Sequence, residues 1–338
     1  MNTPDTSPKT STVASNTPGA PGPGVTARLN WASIKRSTLF YPFIGLLVVC
    51  IVMVFASDSF LSAANLENVL RQVSINAIIA VGMTAVILTG GIDLSVGSVM
   101  ALSGTLAAGL MVAGLNGVAA IAIGIAVGLG FGFANGFFVA FAGMPPIIVT
   151  LATMGIARGL ALIYTGGYPI DGLPDWVSFF GSGKVFGIQA PVLIMLVVYA
   201  IAWLLLERMP FGRYVYAIGG NEQATRLSGV RVARVKLIVY TLAGLTSSFA
   251  AIVLTSRLMS GQPNAGVGFE LDAIAAVVMG GTSISGGRGS IIGTLIGALL
   301  LGVLNNGLNM VGVNPYVQNV IKGGIILLAI YISRDRKK

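Results

Sequence analysis

The sequence predicts an all-α fold, a polytopic bundle of membrane-spanning helices, and its composition and charge spacing carry that prediction. Hydrophobic residues make up 55% of the 338 residues, charged residues only 9%, and the mean hydropathy is +0.88. Soluble domains carry about 25% charged residues, so this chain has too few to cover a globular surface in water. Charge-free stretches such as 72–92 and 94–157 are long enough for one or more membrane crossings.

Charges and glycine-rich breaks divide the chain into elements. Residues 1–30 are rich in Ser, Thr and Pro and short of large apolar side chains, which predicts a disordered cytoplasmic tail before a transmembrane domain at 31–338. At about 20 residues per crossing, that domain holds about ten spans, the eighth being short and glycine-rich. The predicted spans are 39–56, 73–90, 97–115, 118–141, 147–165, 190–206, 237–255, 271–284, 290–311 and 317–333.

The distribution of basic residues predicts the orientation. Fifteen of the 20 Lys and Arg residues lie in the N-terminal tail, in the segment 207–236, at Arg288 or at the C-terminus. Segments on the opposite side hold only Arg71, Lys184 and Arg257. Because Lys and Arg are retained on the cytoplasmic side, we expect a multi-pass membrane protein with both termini in the cytoplasm.

Several function classes are excluded by residue type. The chain has no histidine, which removes His-based triads, haem ligation and zinc sites of the HExxH type, and Cys50 is its only cysteine. The string GSGK at 181–184 lacks the upstream glycine and the following Ser or Thr of a phosphate-binding loop. We therefore expect no catalytic residue, no metal and no cofactor bound by this chain, and the basic residues that flank spans indicate topology rather than nucleic-acid binding.

Glycine-rich patterns suggest close helix packing and an internal repeat. Gly124, Gly128, Gly132 and Gly136 share one helix face, which predicts close packing within the protomer or at a dimer seam. The string at 85–98, AVILTGGIDLSVGS, resembles AVVMGGTSISGGRGS at 276–290. This likeness suggests a duplication, of the kind common in transporters, with both copies in the same orientation by the span count; one miscounted half-helix would make the repeat inverted.

Polar groups within the apolar spans are candidates for a transport path. Asp93 and Ser95 lie between glycines, where they either cap the next helix or belong to a broken helix that lines the path. Arg158 and Lys322 fall within spans and need a partner, water or a route to the interface. Asparagines within spans serve either packing or a polar path. The candidate path residues are Asn76, Asp93, Ser95, Asn305, Asn306 and Asn309.

The cytoplasmic segment 207–236 is the clearest functional signal. Asn221 can cap a short helix, and Gly229 suits the position just after its end. The pattern predicts a helix at about 221–228, hinged by Gly219, Gly220 and Gly229. A compact capped helix on this face either docks into a partner protein or lies on the lipid surface, and its low apolar content favours a protein partner.

Three strings, at 76–104, 212–245 and 268–313, resemble the permease subunits of bacterial ABC importers for monosaccharides, most of all those for ribose. The resemblance covers about 30–338. It implies two permease copies, an ATPase subunit that binds the ATP, a periplasmic sugar-binding protein and a sugar substrate. It also implies a lipid environment in the bacterial inner membrane. It also implies that the short cytoplasmic helix couples to the ATPase. The coupling residues are Gly219, Gly220, Asn221, Glu222, Ala224, Thr225, Arg226, Leu227, Ser228 and Gly229.

Other functions remain open on the residues alone. The permease could serve xylose, arabinose, galactose or a related sugar, because this subunit carries little of the sugar specificity. An ion-coupled transporter would use intramembrane carboxylates as relays, for which Asp93 and Asp272 are the candidates. A passive channel fits poorly with the cytoplasmic helix, and a membrane enzyme would need a cluster of acidic residues or histidines that the sequence lacks.

Overall fold

The computed structural model describes residues 39–333, so the predicted tail at 1–30 and the basic residues at 334–338 lie outside it. Within this range the chain is helical apart from one two-stranded hairpin and its connections. The helices are α1 Phe40–Ala56, α2 Ala63–Leu88, α3 Val96–Val112, α4 Gly117–Ala140, α5 Pro146–Thr165, α6 Phe179–Ser182, α7 Ala190–Trp203, α8 Pro210–Gly220, α9 Glu222–Leu227, α10 Val232–Leu258, α11 Phe269–Met279, α12 Ile291–Met310 and α13 Pro315–Ser333. The hairpin pairs β1 Lys184–Val185 with β2 Ile188–Gln189.

Six helical segments of the described range are long and apolar enough to cross a membrane. They are α2, α4, α5, α7 with the π-helical turn Leu204–Arg208 that extends it, α10 and α12. Helices α1 and α3 are apolar but have 17 residues each. The chain is thus a predominantly helical, polytopic membrane protein.

Two helices begin earlier than the charge-based division predicted. Helix α2 begins at Ala63 rather than at 73, and α10 begins at Val232 rather than at 237. The predicted spans could not include Arg71 or Lys236, because they were drawn from charge-free runs. Long basic side chains can, however, reach the membrane interface from the first turns of a helix. Charges therefore mark the ends of apolar runs and not the ends of helices.

The segment 207–236 is not a loop. Helix α8 occupies Pro210–Gly220, and α9 follows after the single residue Asn221. Gly219 and Gly220 are the last two residues of α8, so they belong to a helix rather than to a free hinge. The prediction missed α8 because its apolar side chains line only one side of an amphipathic helix, which a search for charge-free runs passes over.

Helix α11, which overlaps the predicted span 271–284, has only 11 residues. It rises about 16 Å, roughly half of a hydrocarbon core of about 30 Å. The irregular segment 259–268 precedes it, with left-handed backbone at Met259, Gly266 and Gly268. This part of the chain is therefore a half-helix after a non-helical stretch.

The glycine series of α4 packs within the protomer. A Cβ at Gly124 would lie 2.8 Å from the carbonyl oxygen of Ser103 in α3, and one at Gly128 would lie 2.6 Å from the carbonyl oxygen of Gly244 in α10. Gly132 is equally close to Tyr240 of α10. The four-residue spacing thus lets α4 approach two neighbouring backbones, which is how small residues stabilise helix pairs in membranes.

Candidate functional site

Three glycine-containing segments meet at one end of the bundle. The N–H of Gly287 donates to the carbonyl oxygen of Leu88, the last residue of α2, over 3.0 Å. Gly219 of α8 lies against the same two groups, where a Cβ would overlap both the Leu88 oxygen and the Gly287 nitrogen. We call this contact the glycine clasp. It joins α8 to the two segments, 89–95 and 280–290, that connect α2 to α3 and α11 to α12.

Both strings suspected of being repeats take part in the clasp. Gly90 belongs to the first and Gly286 to the second, and a Cβ at Gly286 would lie 2.9 Å from the nitrogen of Gly90. Gly286 and Gly287 have φ values of +83° and +72°, a conformation that glycine adopts without the steric cost other residues bear. The glycines therefore serve both the turn and the close approach.

Asp93 and Ser95 form a buried network with a third residue. The Asp93 carboxylate accepts hydrogen bonds from the N–H and the hydroxyl of Ser95 through Oδ1, at 2.9 and 2.6 Å. The Ser95 hydroxyl in turn accepts from the side-chain amide of Asn135 in α4 at 2.9 Å. All three residues are at most 1% exposed. Ser95, which precedes α3, makes no capping bond through its side chain, whereas Asp93 accepts the backbone N–H of Ser95 just before the helix.

Helix α9 has the caps that the sequence predicts. The Asn221 side chain accepts from the N–H of Ala224 at 3.0 Å, and Gly229 has a φ of +85°. The helix has six residues, Glu222–Leu227, rather than eight. Thr225 packs inward, whereas Leu227 is 90% exposed. An apolar side chain thus projects from an otherwise polar helix.

Glu222 ties α9 to α10. Its carboxylate accepts from Lys236 at 2.6 Å and from Arg226 at 3.0 Å. Burial raises the pKa of Glu222, but the hydrogen bond from Lys236 and the charges of Lys236 and Arg226 outweigh it, so the pKa lies below its ordinary value. The helix is therefore held by an ion pair that stays charged at neutral pH.

The candidate asparagines are not brought together in one place. Asn306 exchanges two hydrogen bonds with Asn65 of α2, at 2.8 and 3.1 Å, which joins α12 to α2. The exposed Asn309 accepts from Gln318 of α13 at 2.8 Å. The side-chain amide oxygens (Oδ1) of Asn76 and Asn305 are buried and accept no hydrogen bond from the described residues.

The two cations predicted to need partners have them. Arg158 of α5 donates through Nη1 to the carbonyl oxygens of Pro263 and Ala265, at 2.5 and 2.8 Å. Lys322 of α13 forms an ion pair with Asp272 of α11 at 3.4 Å. Sequence reasoning could not find either partner, because one is a backbone segment and the other is 50 residues away.

A cavity of about 100 Å³ lies between α2, α7, α8 and α10. Its lining is almost entirely apolar, with Val198, Leu206 and Phe211 among its residues and Thr246 as the only hydroxyl. A ligand rich in hydroxyl groups would lose its hydrogen bonds to water there without replacement. This cavity is therefore a poor sugar site. The described residues also contain no group of three or more acidic, Cys or His side chains that could hold a metal ion.

The six membrane-length helices of the described range define a polytopic membrane protein. The family model described as "Branched-chain amino acid transport system / permease component" matches residues 65–330. The chain belongs to this family, and it is a permease component of the inner membrane rather than an enzyme.

Similar proteins of this kind include several sugar permeases. The ribose import permease protein RbsC of Bacillus subtilis is 56% identical over 299 residues, which cover 88% of this chain and 92% of the relative. RbsC of Escherichia coli is 50% identical, over 87% and 92% of the two chains. The L-arabinose transport system permease protein AraH of Escherichia coli is 38% identical, over 97% and 98%. No solved structure matches the chain.

Proposed function

We propose that this chain is the permease subunit of an ATP-driven ABC importer for a monosaccharide, with ribose as the substrate. The observation that carries the proposal is the 56% identity to a ribose import permease over most of both chains. The arabinose relative is more distant, at 38%. Another pentose or a hexose is the alternative, because the permease shares sugar selection with a binding protein in this type of importer.

The proposed partners are an ATPase subunit that binds the ATP, a periplasmic sugar-binding protein and a second copy of this permease. Helix α9, with its flanking residues 219–229, is the proposed docking element for the ATPase. Its exposed Leu227 supports this, since an apolar side chain on a polar surface helix is the usual anchor of a helix in a partner's groove.

The glycine clasp supplies a mechanical route for coupling. A displacement of α9 moves the end of α8, to which it is joined through Asn221 alone. Because Gly219 touches Leu88 and Gly287 at once, that motion reaches the α2–α3 and the α11–α12 connections together. ATP-driven closure of the ATPase subunits would thereby change the packing of both halves of the bundle and open a path between two protomers.

We further propose about ten membrane crossings with both termini in the cytoplasm, the half-helix α11 and its preceding segment counting as one crossing. The side of α9 is then cytoplasmic, as ATPase docking requires. Asn76, Asp93, Ser95, Asn305, Asn306 and Asn309 stay candidates for the polar path. The unpaired carbonyl oxygens of Asn76 and Asn305 support these two best, because a buried acceptor without a donor can receive a sugar hydroxyl.

An internal repeat is also proposed, and the packing, unlike the likeness of the strings 85–98 and 276–290, favours an inverted one, formed by α2–α5 and α10–α13. Gly97, in the first turn of α3, and Gly266, just before α11, hold equivalent places in the two halves and lie against each other's carbonyl groups. Reciprocal contact of this kind is expected near a two-fold axis. The approach of α4 to α3 through Gly124 is matched by that of α12 to α11 through Gly297. Inverted repeats of this kind are common in transporters.

The deciding experiment is uptake of labelled ribose into vesicles that contain this permease with its ATPase and binding protein, in the presence of competing sugars. Uptake that requires ATP and is competed mainly by ribose is the expected result. If another sugar competes best, that sugar becomes the proposed substrate and the ATP-driven mechanism still holds. Uptake that persists without the ATPase and collapses with an uncoupler would identify an ion-coupled transporter instead.

A further inference from the structure

Arg158 carries a charge deep in a membrane-spanning helix. It is the only charged residue of α5 and lies twelve positions after Pro146, about 18 Å along the helix axis. A guanidinium facing lipid at this depth is unfavourable, so intramembrane charges face the protein interior or an aqueous cavity. The surroundings of Arg158 decide which of these applies.

The guanidinium uses only part of its donor capacity. Nη1 donates to Pro263 and Ala265, and within residues 39–333 no hydrogen bond from Nε or Nη2 is found. Donors left over inside a bilayer need water or a ligand. The helix face next to Arg158 is open, because a Cβ at Gly155 or Gly159 would have no atom within 4 Å. Arg158 therefore lies beside a face of α5 that no other part of the described chain covers.

An acceptor follows directly after the segment that Arg158 holds. Glu270, in the first turn of α11, accepts from the N–H of Gly268 through Oε1 at 3.2 Å. Its charge acts on Arg158, although no direct salt bridge joins them. Its second oxygen lies beside Gly97, where a Cβ would come within 2.6 Å of it. A cation and an anion thus both bind the backbone of the segment 259–268, each with hydrogen-bonding capacity to spare.

We propose that Arg158 and Glu270 form a polar step of the sugar path, at which the free N–H groups of Arg158 donate to, and the free oxygen of Glu270 accepts from, the hydroxyl groups of a passing neutral sugar. Hydrogen bonds to ionised groups are the stronger ones. Because the two charges are opposite, the pair has no net charge with which to attract an ion. Its hydrogen-bonding groups can still bind a neutral polyol. This inference rests on the proposed function and adds a charged substrate contact to the candidate path residues.

The first test uses cysteine accessibility. Cys50 is the only cysteine of this chain, so Cys50→Ala removes every thiol from the permease, and labelling of the permease chain alone is measured in the full complex with ATPase and binding protein. Gly155→Cys places a thiol one turn from Arg158, and Ile156→Cys, which is 56% exposed in the wild type, places one on the opposite side of α5 as a matched control. A charged methanethiosulfonate reagent should label Gly155→Cys at least about tenfold faster, and ribose should slow that labelling. Equal rates, or no labelling of Gly155→Cys, would overturn the proposal.

The second test measures sugar imported per ATP hydrolysed. Arg158→Gln and Glu270→Gln should lower import about tenfold, the loss of one good charge-assisted contact, while hydrolysis stimulated by the binding protein stays near the wild-type rate. Arg158→Lys keeps the positive charge but loses the planar set of N–H donors of the guanidinium. Its import per ATP should lie between those of the wild type and Arg158→Gln. Loss of complex assembly in both Arg158 variants would show that the residue only holds the backbone and would overturn the proposal.

Failure of the proposed function can be distinguished from failure of the inference about Arg158 and Glu270. If the wild-type complex imports no monosaccharide, the proposed function fails, and the cysteine labelling still reports whether α5 faces water. If the wild type imports ribose and Arg158→Gln imports it equally well for each ATP, the inference alone fails.

Discussion

The N–H of Gly287 donates to the carbonyl oxygen of Leu88 over 3.0 Å, and this bond joins the ends of two helical connections that are far apart in sequence. Gly219 fills the remaining space beside both groups, so that α8 has no room for a larger residue there. The contact makes α8, and through it α9, a neighbour of both halves of the bundle. Most of the predictions below concern this arrangement.

Gly219→Ala should impair transport far more than Gly220→Ala. A methyl group at 219 overlaps Leu88 and Gly287, whereas a Cβ at 220 meets nothing within 4 Å. Overpacking of this kind costs about 1–3 kcal/mol. The measurements are the thermal midpoint of the purified permease and ATP-dependent uptake, and indistinguishable variants would contradict the role of the clasp.

Leu227→Asp should weaken binding of the ATPase subunit without lowering the stability of the permease. The side chain is 90% exposed, so it contributes little to folding, whereas burial of a leucine in an interface is worth about 1.5–3 kcal/mol. Co-purification and titration with the ATPase measure the effect. Gln223→Ala, also exposed on α9, is the control. An unchanged affinity in Leu227→Asp would remove α9 from the interface.

Gly229→Val should uncouple ATP hydrolysis from uptake. The φ of +85° at this residue is strongly unfavourable for a β-branched side chain, with a cost of about 1–3 kcal/mol, so the end of α9 must rearrange. Asn tolerates positive φ better than other non-glycine residues, and Gly229→Asn should therefore retain more uptake. Membrane insertion of both variants is measured alongside, and normal uptake by Gly229→Val would exclude the coupling role.

The attachment of α9 to α10 should be insensitive to pH near neutrality. The pKa of Glu222 is lower in the folded protein than its ordinary value of 4.5, so its stabilisation is complete above that value and is lost as the pH falls through the folded pKa, below 4.5. The effect is under about 1 kcal/mol because the side chain is 38% exposed. Hydrogen exchange of α9 at falling pH measures it. Glu222→Gln should abolish the pH dependence, and a transition at neutral pH would contradict the assignment.

The variant Asn306→Leu should show whether Asn306 stabilises helix packing or contributes to the sugar path. If Asn306 mainly pairs with Asn65, the single variant leaves a partly buried amide unsatisfied and loses about 1–3 kcal/mol. The double variant Asn65→Leu/Asn306→Leu should then regain part of the stability. Thermal unfolding in detergent measures both, with Asn309→Ala at an exposed site as the control. A stable Asn306→Leu variant that has lost uptake would instead place Asn306 in the path.

Local patterns predicted local features well. Asn221 and Gly229 could be recognised as helix-end residues because capping depends on a few neighbouring positions. The glycines of α4 could be recognised as a packing face because four-residue spacing defines one side of a helix. The helical membrane fold itself follows from the scarcity of charge.

The clasp and the partners of Arg158 could not be predicted. Both depend on which backbone segments meet in three dimensions, and neither Leu88 nor Pro263 differs in sequence from an ordinary apolar or turn residue. Helix α8 was missed for a different reason, because its pattern is amphipathic and the division followed charge-free runs. The one available signal for the segment 259–268 was Arg158 itself, a charge in a span without a partner nearby in sequence.

The brevity of α11 bears on how the protein is made. Eleven residues that include Glu270 and Asp272 are too few and too polar to enter a bilayer as an independent span. The segment 259–279 must therefore enter the membrane by packing against helices that are already inserted. Arg158 of α5 binds its backbone at Pro263, and Lys322 of α13 binds the carboxylate of Asp272. Because α13 is synthesised after α11, the ion pair between Lys322 and Asp272 can form only after α13 has been made, which puts this step late in biogenesis.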